Sequence, residues 1–313
     1  MADNKQKIGD LSVSPLSLGG NVFGWTADEA ESFRVLDAYA AAGGNFIDTA
    51  DVYSAWVPGN QGGESETVLG NWFASRGNRS EVVLATKVGG APERRGLSPA
   101  TIRAGIEDSL RRLRTDYIDL YYTHYDDESV AVEEIATTLD ALVKEGKVRE
   151  LGASNVSAER LDSFLAFATQ EGLARYAALQ PHYNLVSRDT FEGPLADVAI
   201  RHGVATVPYF ALAAGFLTGK YRPGTAVDSA RSPRAAAHLE TERGRKVLAA
   251  LDEVAAHHGA EPATVALAWL ATRPTVVAPI ASARNLAQLP PLLAAADLHL
   301  TPPELDLLTS ASA

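Results

Sequence analysis

The chain has 313 residues, 46% of them apolar, no cysteine and a formal net charge of −11. The lack of cysteine excludes disulfides, thiolate metal sites and a cysteine nucleophile, and the acidic balance argues against a broad nucleic-acid-binding face, which needs surplus cations to neutralise phosphates. The stretch from Met1 to Lys7 is polar with no apolar run of signal-peptide length behind it, and no run of about 18 apolar residues occurs, so the expectation is a cytoplasmic protein without a membrane segment.

Short apolar runs alternate with amphipathic stretches, the pattern of βα units. In chain order, a first strand falls near 16–18. Thr26, Ala27 and Asp28 can cap a helix that carries Phe33, Leu36 and Tyr39 and ends at Gly43 and Gly44, which tolerate left-handed backbone. Strands follow at 45–48 and 81–87. Ser98 followed by Pro99 starts a helix whose Ile102, Ile106, Leu110 and Leu113 form a stripe at helical spacing. Strands at 117–124 and 148–154 come next, and then Ser157 precedes a helix with Leu161, Phe164, Leu165 and Ala168 on one face. Weaker strands at 178–180, 204–208 and 276–280 bring the count to eight. The segment 212–239, rich in Gly, Pro, Ser and Arg, breaks the rhythm and reads as a long functional loop.

Alternating βα units fit an open doubly wound sheet or a closed barrel. The open dinucleotide-binding sheet should carry G-x-G-x-x-G at its first strand-to-helix turn, and the stretch from Leu18 to Gly24 lacks that spacing. Eight units in a chain of this length predict an α/β fold of the (β/α)8 TIM-barrel type, one domain over 1–313.

In such a barrel the chemistry sits at the C-terminal ends of the strands. Asp48, Lys87 and His124 each terminate an apolar run, and Tyr53 follows Asp48 by five residues. Taken singly, Asp48 reads as a turn residue, Lys87 as a solvated strand end, Tyr53 as packing and His124 as a satisfied polar group. Together on one rim they form a proton-transfer set. A nearby ammonium lowers the pKa of a phenol, and a carboxylate keeps a buried ammonium charged. Asp48 would then orient, Lys87 tune and Tyr53 donate, with His124 on the oxygen of a carbonyl substrate. A metal-dependent barrel hydrolase built on Asp48, His124 and Asp126 lacks the cluster of strand-end histidines it would need, and no metal is expected.

These segments resemble the aldo-keto reductase superfamily: the stretch from Gly44 to Tyr53 is similar to its Asp/Tyr signature, 84–89 to its lysine strand and 116–124 to its histidine strand. The closest likeness is to the subgroup that includes potassium-channel β-subunit-like proteins and sugar and aldehyde reductases. The resemblance spans nearly the whole chain. It implies a (β/α)8 barrel, NADPH or NADP+ lying across the rim, and hydride transfer to a small-molecule carbonyl substrate. It also implies site residues. Ser154, Asn155 and Gln180 would hold the nicotinamide carboxamide and Tyr209 would stack on the ring. Gly20, Asn21, Asp48, Phe210, Leu212 and Gly215 would contact the cofactor, and Lys220 and Arg231 its pyrophosphate. Ser282, Arg284 and Gln288 would form the adenosine end, with Arg284 on the 2′-phosphate that only NADP carries. Phe23, Trp25, Trp56 and Tyr125 are the substrate-binding candidates. Phe210 and Ser282 stand where many relatives have serine and glycine. A cofactor-binding sensor or auxiliary subunit with slow turnover is the alternative role, since fold alone does not fix function.

Overall fold

A computed structural model describes residues 4–313. An antiparallel hairpin, β1 (Gln6–Ile8) and β2 (Leu11–Val13), leads into a parallel sheet of eight strands. These are β3 (Ser17–Gly19), β4 (Phe46–Asp48), β5 (Val83–Val88), β6 (Ile118–Thr123), β7 (Val148–Ser154), β8 (Tyr176–Gln180), β9 (Ala205–Thr206) and β10 (Ile280–Ala281). Neighbours in sequence are neighbours in the sheet, and β10 pairs beside β3. The ring is completed by Val277 N donating to Thr206 O (3.0 Å) and Ile280 N to Pro208 O (2.9 Å). The fold is therefore the (β/α)8 barrel.

Local chemistry explains the elements. β5 and β6 are buried along their whole length, as expected for parallel strands packed on both faces. Asp28 accepts from Glu31 N (2.8 Å) to cap the helix Glu29–Ala41, and Ser157 accepts from Arg160 N (3.1 Å) to cap Ala158–Gln170. Ser98 caps Pro99–Leu113 with proline in its first turn. Gly152 is dictated by packing, because a Cβ there would meet the Tyr122 ring at 2.4 Å.

Two apolar layers result. One lies between strands and helices, and the other fills the barrel, where Phe46, Val83, Leu120 and Tyr122 meet Ile8, Leu11 and Val13 of the hairpin. The hairpin thus seals the N-terminal mouth of the barrel, opposite the rim where the strands end.

The structure corrects three expectations. The hairpin has no counterpart among the expected strands. The last strand is reduced to Ile280–Ala281, with the preceding residues hydrogen-bonded but extended irregularly. The segment 212–239 is not one loop, since it contains a 3-10 helix at Ala213–Thr218 and a helical turn at Ser232–Ala236.

At the far end, Glu304 of the helix Pro302–Ala311 accepts from Thr301 N (2.7 Å) through one oxygen and meets His257 and His258 through the other. The Thr301 backbone N–H, then His257, hold its carboxyl at about 2. A depressed carboxylate stabilises the fold above its unfolded pKa and loses that contribution as pH falls towards the folded value. Glu304→Gln should therefore flatten the fall in stability between the ordinary carboxylate range and pH 2. Parallel stability curves for the two proteins in acid denaturation would contradict this.

Candidate active site

The ends of the strands bring the proton-transfer set together. Asp48 closes β4, Lys87 sits one residue before the end of β5, and His124 directly follows β6. Lys87 Nζ donates to Asp48 Oδ2 (2.7 Å), to Thr49 O (2.8 Å) and to the Tyr53 hydroxyl (2.8 Å). Tyr53 OH in turn donates to Asp48 Oδ2 at 3.1 Å, and Gln180 Nε2 donates to Asp48 Oδ1 at 2.8 Å. The ion pair is fully desolvated, with side-chain exposures of 0% for Lys87 and 1% for Asp48.

Burial pulls the Lys87 ammonium below its ordinary value while Asp48 opposes that fall. The sequence expectation for Tyr53 is corrected. Burial, and then the Asp48 carboxylate, push its phenol well above the ordinary value, with Arg231 opposing. Desolvation of a phenolate outweighs the neighbouring lysine. The phenol therefore stays protonated throughout the neutral range, which suits a proton donor.

Above the phenol opens a cavity of about 720 Å³. Asp48, Tyr53 and His124 face it, whereas Lys87 lies beneath Tyr53 and reaches the cavity only through that hydroxyl. One flank carries Ser154, Asn155, Gln180 and Tyr209. Tyr209 OH donates to Asn155 Oδ1 (2.7 Å), and Ser154 Oγ donates to Gln180 O (2.8 Å). From there the cavity runs past Phe210, Leu212, Gly215, Lys220 and Arg231 to Ser282, Arg284 and Gln288. Asn21 accepts from Ser282 Oγ (2.7 Å), and Gln288 Oε1 accepts from Arg284 N (3.0 Å). Trp25, Trp56 and Tyr125 stand at the mouth. Trp25 meets Trp56 edge-on at 5.4 Å, Tyr125 stacks on His124 at 4.4 Å, and Trp56 and Tyr125 are 48% and 50% exposed.

Two assignments fail. Phe23 is completely buried in the helix–strand layer, where its carbonyl accepts from Ser54 Oγ (2.8 Å), so it cannot touch a substrate. Gly20, one residue past the end of β3, is buried with its N–H on Asp48 O (2.7 Å), and Gly19 takes its place on the wall. Other cavity residues escaped the sequence reading, including Val52, Arg234 and Glu261. Arg234 carries a sequence signal as the third arginine of the Arg-rich segment 212–239, and its guanidinium lies 4.5 Å from the centre of the Phe210 ring. Asp126 is held by Arg160 through both oxygens (2.9 and 3.0 Å), away from a metal role with His124.

The donor set suits an extended anion. Lys220, Arg231, Arg234 and Arg284 line one groove of an acidic protein, and among the described residues none forms an ion pair with a carboxylate. An amide-binding end, a cationic middle and a cationic far end with a glutamine fit a dinucleotide with its carboxamide beside Tyr53.

A parallel barrel with buried Asp, Lys and His and a half-buried Tyr converging under a rim cavity is the arrangement of a barrel enzyme. The model of the aldo/keto reductase family matches residues 15–313. The chain is 34% identical to protein Tas of Escherichia coli over 307 residues, covering 89% of this chain and 88% of that protein. It is 34% identical to an aryl-alcohol dehydrogenase [NADP(+)] of Phanerodontia chrysosporium, covering 95% and 82%. It is 36% identical to the norsolorinic acid reductase stcV of Emericella nidulans, covering 90% and 74%. The chain belongs to the aldo/keto reductase family and is an oxidoreductase. Among the described residues no helix is long and apolar enough to cross a membrane.

Proposed function

We propose that this protein reduces small aldehydes or ketones with NADPH, Tyr53 supplying the proton. The observation that carries this reading is the three-way contact of Lys87 Nζ, Asp48 Oδ2 and Tyr53 OH at the floor of a cationic groove. Bound NADPH supplies the hydride. Tyr53 OH gives its proton to the alkoxide oxygen that results, an oxygen more basic than a phenolate, and the phenolate left behind is stabilised by Lys87. Asp48 holds that ammonium in place and is itself oriented by Gln180. His124 hydrogen-bonds the carbonyl oxygen, and Asn155, Ser154 and Gln180 fix the carboxamide.

Trp25, Trp56 and Tyr125 surround the approach to Tyr53 with aromatic surface, which favours aromatic or bulky apolar carbonyl compounds. The activities for which two relatives are named, an aryl-alcohol dehydrogenase and a norsolorinic acid reductase, point the same way. Arg284, at the far end of the groove, supports NADPH over NADH. Loss of NADPH absorbance across a panel of aromatic and aliphatic aldehydes tests the reading. Multiple turnovers are expected, and tight NADPH binding with no turnover would point to a sensor instead. In the same assay Arg284→Ala should weaken NADPH about 10- to 100-fold, the worth of a hydrogen bond to a charged group, and leave NADH nearly unchanged. Equal losses for both would remove the 2′-phosphate from Arg284.

A further inference from the structure

Asp51 is a buried acid beside the proton-transfer set to which the proposed chemistry gives no task. Its Oδ2 accepts from the backbone N–H groups of Gly89 (3.0 Å), Gly90 (3.3 Å) and Ala91 (3.2 Å). Its Oδ1 is buried with no partner. The other deeply buried carboxylates have both oxygens engaged: Asp48 by Gln180 and Lys87, Glu66 by Thr86 and Arg112, Asp119 by Arg149 and Arg79. The atom that faces the bare oxygen, at 3.9 Å, is His124 Nδ1, which is also buried and unpartnered. Two orphaned polar atoms facing each other are costly to leave apart. The gap is too long for a hydrogen bond, and a shift of about 1 Å would close it.

We infer that Asp51 is a positioning residue for His124, its free oxygen taking the Nδ1–H and so deciding which ring nitrogen meets the substrate. The inference rests on the reading of His124 as the group on the carbonyl oxygen. With the Nδ1 proton committed to Asp51, a neutral ring presents a lone pair at Nε2, which repels a carbonyl oxygen. Only the imidazolium presents a proton there. Asp51 therefore makes reduction depend on a charged His124.

The surroundings set the balance. Burial lowers the His124 value, Asp51 opposes that, Lys87 lowers it and Asp48 raises it. Tyr53 and Tyr125, whose rings flank His124, are themselves pushed upward and stay neutral across this range, and Arg95 acts on Tyr125. Asn155 touches only the His124 carbonyl (2.8 Å).

Asp51→Asn makes the test sharp. Three N–H donors at the Oδ2 position select the amide oxygen there, which turns the amide NH2 toward His124. Nδ1 then becomes an acceptor, and the neutral ring carries its proton on Nε2. Imidazole 15N–1H spectra of the protein without ligands, with His124→Gln to assign the signal, should show neutral His124 as the Nδ1–H tautomer in the natural protein and as Nε2–H in Asp51→Asn. For the reductive kcat/KM, the natural protein should lose activity towards tenfold per pH unit above the His124 value, and Asp51→Asn should be flat from about pH 5 to 9. Gly90→Ala is the second variant. Its backbone φ is not left-handed, and its methyl would lie 2.8 Å from His124 Nδ1 and 3.2 Å from Asp51 Oδ1, separating the two groups with both retained. It should lose the Nδ1–H preference. The same tautomer in all three proteins overturns the inference, whatever the activity. The expected tautomer change with no carbonyl reduction would leave Asp51 in place and overturn the role of His124 on the substrate.

Discussion

Tyr53→Phe is expected to lose about 10²- to 10⁴-fold of its aldehyde-reducing kcat, the range of a positioned proton donor, with NADPH affinity unchanged. The substitution removes one oxygen and keeps the ring against Trp56 and His124. Lys87 retains two of its three acceptors, Asp48 Oδ2 and Thr49 O, so the buried pair survives. None of the groove cations hydrogen-bonds the phenol, so the proposed hold on the dinucleotide should be kept. Steady-state turnover together with fluorescence titration of NADPH separates the two quantities. Near-normal turnover would remove Tyr53 from its role.

Lys87→Met should cost both activity and about 3–5 kcal/mol of stability, the penalty for stripping one partner from a buried ion pair and leaving the other uncompensated. Asp48 at 1% exposure has no solvent to turn to. Adding Asp48→Asn to Lys87→Met should restore most of the stability, because the double variant buries no lone charge, while reduction stays abolished. Denaturant midpoints for the single and double variants decide the matter. A single variant as stable as the natural protein would mean that the pair carries little desolvated charge.

The strand-end residues were legible because each interrupts an apolar run with an ionisable group. In a parallel barrel that break in pattern falls on the same rim every time, so Asp48, Lys87 and His124 could be placed before any coordinates. Other features depend on the third dimension. Phe23 follows a Gly-rich turn just as a rim aromatic would, and no local pattern reveals that its side chain turns inward. The hairpin strands are three residues each, too short for alternation to stand out beside the polar start of the chain. The direction of the Tyr53 shift is hidden from the sequence, which shows that a lysine is near but not that the phenolate would lose its water. Asp51 lies inside the Asp/Tyr segment, but an unmatched oxygen is a property of packing and leaves no mark on the sequence. The segment 212–239 looked irregular by composition, yet Pro233 suits the first turn of a short helix there.

The plug formed by Ile8, Leu11 and Val13 has a bearing on traffic through the enzyme. Among the described residues that end is stoppered by hydrocarbon, so a ligand of the cavity would come and go on the rim side. The tryptophan pair Trp25 and Trp56 then stands over the end of that opening nearest Tyr53.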